Sequence, residues 1–168
     1  ESSILSEAAE ISKHKDFKGI ISDVGGPTAN MYGFECDKKL EHGSCIKKRC
    51  VFPQTCEKLE PDHSKQIDLL KKLRNTKGIR KIFVASGLRY DLIENDRIYG
   101  DEYLRELVEH HVSGQLKIAP EHSDSKILSL MGKPEIDSIF SFRDKFNKYS
   151  AHAGKNQFLT YYFIAAHP

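Results

Sequence analysis

"KGIISDVGG", residues Lys18 to Gly26, is an isoleucine-bearing apolar run closed by two glycines. A short apolar run ended by turn residues reads as a buried strand. Three later stretches have the same form: "IRKIFVASG" (79–87), "GQLKIAP" (114–120) and "QFLTYYFIAAHP" (157–168). Helical patterns fill the intervals. Ile4, Ala8 and Ile11 share a face behind Ser2 or Ser3 as a cap. Asp62 is placed to cap "HSKQIDLLKKLRNTKG", in which Ile67, Leu70 and Leu73 align and Gly78 is the stop. "DEYLRELVEHH" sets Leu104, Leu107, Val108 and His111 on one face, and "SDSKILSLMGK" and "DSIFSFRDKFNKYS" complete the helices. Alternation of this kind predicts an α/β fold with about four parallel strands flanked by helices, joined by right-handed crossovers. Ligands in such folds sit at the carboxyl ends of the strands. Here those ends are "SDVGGPT", "SGLRYD", "APEHSD" and "AAHP".

The chain has 168 residues, enough for one domain. Its 26 basic and 24 acidic residues give a formal charge of +2, so bulk charge points to no nucleic-acid or membrane partner. No run approaches the ~18 apolar residues of a membrane span, and no signal peptide opens the chain, so a cytoplasmic location is the expectation. A first residue other than methionine and an apolar run ending at Pro168 lead us to expect a piece of a longer protein.

Residues 26–61 lack periodicity and hold all four cysteines, Cys36, Cys45, Cys50 and Cys56. Four thiolates suit a zinc ion or an iron–sulfur cluster, and Lys47, Lys48 and Arg49 among them favour the thiolate form. The spacing fits no C-x-x-C zinc pattern, so free structural thiols stand beside the metal reading. Gly25 and Gly26 would let a ligand approach the backbone, or would simply form a tight turn. Arg89 is the candidate to clamp a carboxylate or phosphate through its planar fork. Glu121 and His122 follow a strand and so face the ligand end, whereas His111 lies on an apolar helix face and reads as a packing residue. "IKKRC" has too few aromatic neighbours for a nucleic-acid patch and reads as a solvated loop.

"GIISDVGGPTANMYG", the four-cysteine loop, "GIRKIFVASGLRYD", "HHVSGQLKIAPEHSDSKILSLMGKP" and "YYFIAAHP" together closely resemble the YgiQ-type radical S-adenosylmethionine (SAM) proteins. The resemblance runs over essentially the whole chain. It implies part of a (β/α) TIM-type barrel that binds SAM and a [4Fe–4S] cluster, and a parent enzyme that cleaves SAM reductively to a 5′-deoxyadenosyl radical with an electron donor. The resemblance places Gly25 and Gly26 near the methionine end of SAM, with Pro27 where related proteins carry an acidic residue, and it counts Thr28 and Ser86 among the cofactor-binding residues. It also lays Arg89, Glu121 and His122 near the SAM site and its ribose, and Ala165 near the adenine. No C-x-x-x-C-x-x-C cluster loop occurs, so the resemblance implies that those ligands precede Glu1 and that residues 1–168, a single partial core domain with the 26–61 loop as an insertion, are inactive alone. The four cysteines would form a second site for an auxiliary cluster or zinc, and an exposed sheet edge would favour self-association. The rival expectation is a non-enzymatic α/β binding module whose cysteine-bound zinc recruits RNA or protein. No substrate is named by the residues.

Overall fold

The computed structural model describes residues 1–26 and 30–166. Helix α1 (Ser2–Ile11) leads to strand β1 (Ile20–Ile21), then α2 (Asp37–His42), α3 (Ser64–Arg74) and β2 (Lys81–Ile82). Helices α4 (Tyr90–Asn95) and α5 (Gly100–Glu106) precede β3 (Gln115–Glu121). Helices α6 (Ser125–Met131) and α7 (Ser138–His152) precede β4 (Phe158–Phe163). The chain is α/β, as its alternation predicts.

The strands pair in parallel, β1 with β2 (Ile20 opposite Lys81) and β3 with β4 (Gln115 opposite Phe158). A parallel bridge between Leu88 and Ile118 joins the two pairs, through Leu88 N–H to the Lys117 carbonyl at 2.9 Å and Ala119 N–H to the Leu88 carbonyl at 3.1 Å. Neighbouring strands therefore follow chain order without a reversal. No closed barrel is present among the described residues. Both outer strands keep apolar side chains in solvent: Ile20 on β1, and Phe158, Tyr162 and Phe163 on β4.

The main core lies where α3, α5 and α7 meet the strands. Leu70, Leu73, Ile82, Leu104, Ile118 and Phe142 are all fully buried there. Burying each such side chain is worth about 1.5–3 kcal/mol. The helical spacing of Ile67, Leu70 and Leu73 does what it predicts. The N-cap of α3 is His63 and not Asp62, which lies one residue earlier and accepts a hydrogen bond from Ser64 N–H at 2.8 Å; Asp124 does cap α6, accepting from Lys126 and Ile127 N–H. His111 is wholly buried, bonded to the Ile82 carbonyl and to Glu106, a packing residue as read.

Several expectations are corrected. Neither Ser2 nor Ser3 caps α1: Glu1 is the N-cap and no side chain bonds there. The strands at 18–26 and 79–87 keep ladder geometry over two residues each and continue as extended chain, held by single bonds such as Val24 N–H to the Phe83 carbonyl at 2.7 Å. The cysteine loop is not without secondary structure, because α2 lies within it. Helix α4 begins directly after Arg89, where no helix was read. The second half of "DEYLRELVEHH" widens to a π-helical turn over Leu107–His111. Strand β3 buries Leu116, Ile118 and Pro120 and exposes Gln115 and Lys117, so one of its faces is open.

Candidate functional site

The carboxyl ends of β1 and β2 are tied together by Asp23. One carboxylate oxygen accepts from the Ala85 N–H at 2.8 Å and the Ser86 N–H at 3.2 Å, and the other accepts from the Ser86 hydroxyl. Partial burial pushes this carboxyl up, but the Ser86 hydroxyl, the two amides and the Lys117 charge outweigh it and hold Asp23 below its ordinary value. Gly25 packs over this junction. A Cβ there would come 2.7 Å from both Cβ and Oγ of Ser86, so only glycine fits. Gly26 differs: a Cβ would meet nothing within 4 Å among the described residues, and the residue borders a cavity of about 510 Å³ with Asp23, Gly25, Met31 and Tyr32. That volume lies in the range of small-molecule pockets. The two glycines thus do different things, one packing and one facing open space.

Arg89 stands at the next strand end. Its guanidinium is engaged with Asp91 in a two-pronged pair, Nε donating to Oδ1 at 2.9 Å and the terminal nitrogen to Oδ2. Its backbone is clamped on both sides by Asn30, whose Oδ1 accepts from Arg89 N–H at 2.8 Å while Nδ2 donates to the Arg89 carbonyl at 2.9 Å. Asn30 also meets His63 Nε2 at 3.3 Å, and His63 Nδ1 meets Asp96 Oδ2 at 2.7 Å. Asn30 and His63 are fully buried, and the His63 ring stacks on Tyr103 with centroids 4.5 Å apart. Burial pulls the His63 pKa down, and the Asp96 carboxylate that opposes this does not restore it. Because Asn30 and His63 flank the cysteine loop, this network closes the loop's base and sets the backbone of Arg89.

Glu121 ends β3 with φ +68, in the left-handed region rare for a residue with a side chain. Its carboxylate pairs with Lys133 from beyond α6, and its carbonyl accepts from Ile164 N–H at 2.8 Å, which fastens the end of β4. His122 Nδ1 accepts from Asp124 N–H at 2.9 Å. Ala165 is exposed next to Ala166, which has φ +54. Gly25, Gly26, Ser86, Arg89, Glu121, His122 and Ala165 therefore all stand at strand ends. Pro27 and Thr28 lie outside the described residues.

The four cysteines are free thiols: Cys36 is buried, Cys50 and Cys56 are half-buried and Cys45 is exposed. They line one cavity of about 340 Å³. Among the described residues, no three His, Cys, Asp or Glu side chains stand close enough to hold one metal ion as they are. The Lys58 amide, then the Lys48 ammonium and the Leu59 amide, pull the Cys56 pKa down against desolvation, which raises it. A larger cavity, about 1,210 Å³, lies beside α2, carries six carboxylates, among them Glu35, Glu41 and Glu60, and shares Met31 and Tyr32 with the cavity at Gly26.

Reading the residues in order missed Asp23, Asn30, His63 and Asp96. The only linear signal was the Asp directly before "VGG". No described helix is long and apolar enough to cross a membrane.

No family model and no solved structure matches the chain. It is 52% identical over 168 residues to a UPF0313 protein of Fusobacterium nucleatum subsp. nucleatum, covering all of this chain and 30% of that protein. It is 49% identical over 168 residues to a UPF0313 protein of Clostridium perfringens strain SM101, again over the whole chain and 25% of the relative. A UPF0313 protein of Vibrio cholerae serotype O1 is 50% identical over 169 residues, which is 21% of its length. The chain spans less than a third of these curated relatives. At about half its positions, and along its whole length, this chain is similar to one segment of the UPF0313 proteins.

Proposed function

We propose that the chain is part of the core of a radical SAM enzyme, one partial (β/α) barrel with the 26–61 loop inserted in it. The observation that carries this reading is the order of the strands together with what stands at their ends. Four parallel strands succeed one another in chain order, each separated from the next by helices, and the Asp23–Gly26 turn, Ser86, Arg89 and Glu121 gather at their carboxyl ends. That is where a barrel of parallel strands builds its site. On this reading the exposed edges of β1 and β4 are where the barrel continues into the rest of the longer protein.

The residues present fit SAM at one point that packing does not explain. Among the described residues nothing crowds Gly26 beside a cavity of about 510 Å³, which leaves room for the amino-acid end of a ligand to approach its backbone. Gly25, Ser86 and Asp23 hold that turn in place. On this reading His122 and Glu121 would face the ribose, and Ala165 the adenine. Arg89 would act through its backbone position, since Asp91 occupies its fork. A [4Fe–4S] cluster, held by cysteines outside this chain, and SAM would together supply hydrogen-atom abstraction. An electron donor and an unidentified substrate complete the system, in the cytoplasm.

The test uses the full-length protein, reconstituted anaerobically. SAM binding by equilibrium dialysis should fall at least tenfold in Gly26→Val, and dithionite should release 5′-deoxyadenosine from the wild type. Residues 1–168 alone should release none. A cluster-loaded full-length protein that neither binds SAM nor releases 5′-deoxyadenosine refutes the reading. The rival binding module rests on the exposed Lys47, Lys48 and Arg49 bordering an open groove with Phe52. It gains if RNA is retained in a salt-dependent way and lost when those three become alanine.

A further inference from the structure

Two of the four cysteines are held together by the backbone. Cys56 N–H donates to the Cys50 carbonyl at 2.8 Å. Standard bond lengths then keep their Cα atoms within about 7 Å of each other, a separation that a disulfide can span. Their side chains also turn the same way. Both pack on the cluster of Phe34, Cys36, Leu59 and Leu92, and both line the cavity of about 340 Å³. Each is half-buried, so a small solute can reach it from that cavity. The other two cysteines are placed differently. Cys36 is buried at the start of α2 and Cys45 is exposed, and among the described residues no backbone bond ties either to another cysteine. The segment is braced from outside as well: Arg49 bridges Phe52, and its guanidinium lies against Gly132 at the end of α6. A metal centre needs several ligands at one point, which the described residues do not offer; a disulfide needs two sulfurs.

From this arrangement we propose that Cys50 and Cys56 are a redox modification site, joined in a reversible disulfide when the protein meets hydrogen peroxide. One sulfur attacks the peroxide, the O–O bond breaks, water leaves and the sulfur becomes a sulfenic acid. The second sulfur attacks the first, the S–S bond forms and a second water leaves. The two thiols give up two electrons and two protons, and the peroxide takes them. A thiol reductant reverses the bond by exchange. In a reducing compartment the pair stays as thiols until an oxidant arrives. The disulfide closes a small ring, residues 50–56, on the wall of a groove of about 600 Å³ that Arg49 and Phe52 also line. The site stands apart from the strand ends and does not depend on the radical SAM reading.

Trypsin separates the cysteines for the test: it cuts after Arg49 and Lys58, which puts Cys50 and Cys56 together on peptide 50–58 without Cys36 or Cys45. The wild-type full-length protein is treated with hydrogen peroxide, its remaining thiols are blocked with iodoacetamide, and the digest is read by mass spectrometry. Peptide 50–58 should be lighter by two hydrogen atoms and carry no alkyl group, while Cys36 and Cys45 are alkylated. Dithiothreitol added before the blocking step should restore two alkyl groups to it. Peroxide is raised until the exposed Cys45 is oxidised. A peptide 50–58 still doubly alkylated at that point overturns the proposal, and so does a disulfide that joins Cys50 or Cys56 to Cys36 or Cys45 instead.

Discussion

The molecule has two apolar clusters of very different strength. Beneath the sheet, 21 described residues are buried in one cluster spanning α1 to α7. Under the cysteine loop only Phe34, Cys36, Leu59 and Leu92 are buried. The first is large enough to order its helices by burial alone. The second must order residues 31–62 with few buried apolar side chains, and it is fastened at its base by the polar Asn30–His63–Asp96 network. Long segments without a core of their own usually carry function or a bound group. The contrast separates a scaffold from the part mounted on it.

The comparison breaks first, and hardest, at Phe142. Changing Phe142, fully buried on α7, to alanine should cost about 3–5 kcal/mol, seen as a shift of the urea unfolding midpoint. Substituting Leu59 to alanine in the small cluster should instead loosen residues 31–62 in hydrogen exchange and leave the sheet protected. If both changes destabilise the whole chain equally, the division into two clusters is wrong.

His63→Ala leaves the buried Asp96 without its ring partner and should cost about 1–3 kcal/mol. Faster exchange should spread from the loop to residues 86–92, because Asn30, which clamps the Arg89 backbone, loses its His63 neighbour. The two glycines give a paired test of similar size. Gly25→Ala forces a Cβ against Ser86 and should cost about 1–3 kcal/mol in thermal or urea unfolding. Gly26→Ala should leave stability within about 0.5 kcal/mol, with its effect read in SAM binding.

Acid should act mainly through the loop's base. Folding lowers the His63 pKa from its ordinary 6.5, so between those values the unfolded chain binds more protons. Stability from this residue is therefore present above 6.5 and is lost as pH falls through that window. Burial raises the Asp96 pKa, but the Tyr99 amide and His63 lower it more, so a further loss follows as pH drops below 3.8. Unfolding midpoints measured from pH 7.5 to 4.5 should decline, and His63→Gln should flatten that slope. The smallest effect is expected at Ile46, 99% exposed on the loop: serine there should change the unfolding midpoint by less than about 0.5 kcal/mol.

Much of the scaffold was legible because its signals are local. Ile67, Leu70 and Leu73 repeat at helical spacing, and Asp124 sits directly before the helix it caps. Helix α4 was hidden because it has only six residues, too few for an apolar pattern to repeat. The widened turn at Leu107–His111 leaves the apolar pattern unchanged and so has no mark in sequence. The strand-end residues were legible from their positions after apolar runs. The network that positions them was not, since Asn30 reaches Arg89 across 59 residues and His63 reaches Asp96 across 33. Such bonds leave no trace in local spacing.

The meeting of Asn30 and His63 makes residues 31–62 a closed ring standing on the scaffold. Its two feet are fixed whatever lies between them. Lengthening a flexible ring is cheap, about 0.6 kcal/mol of closure entropy for each doubling. Insertions and deletions can then accumulate between residues 31 and 62 without moving β1 relative to β2. For the same reason a foreign segment of different length, grafted between those feet, should leave the strand ends in register. The clasp makes this loop the place where the fold can change by exchange of parts.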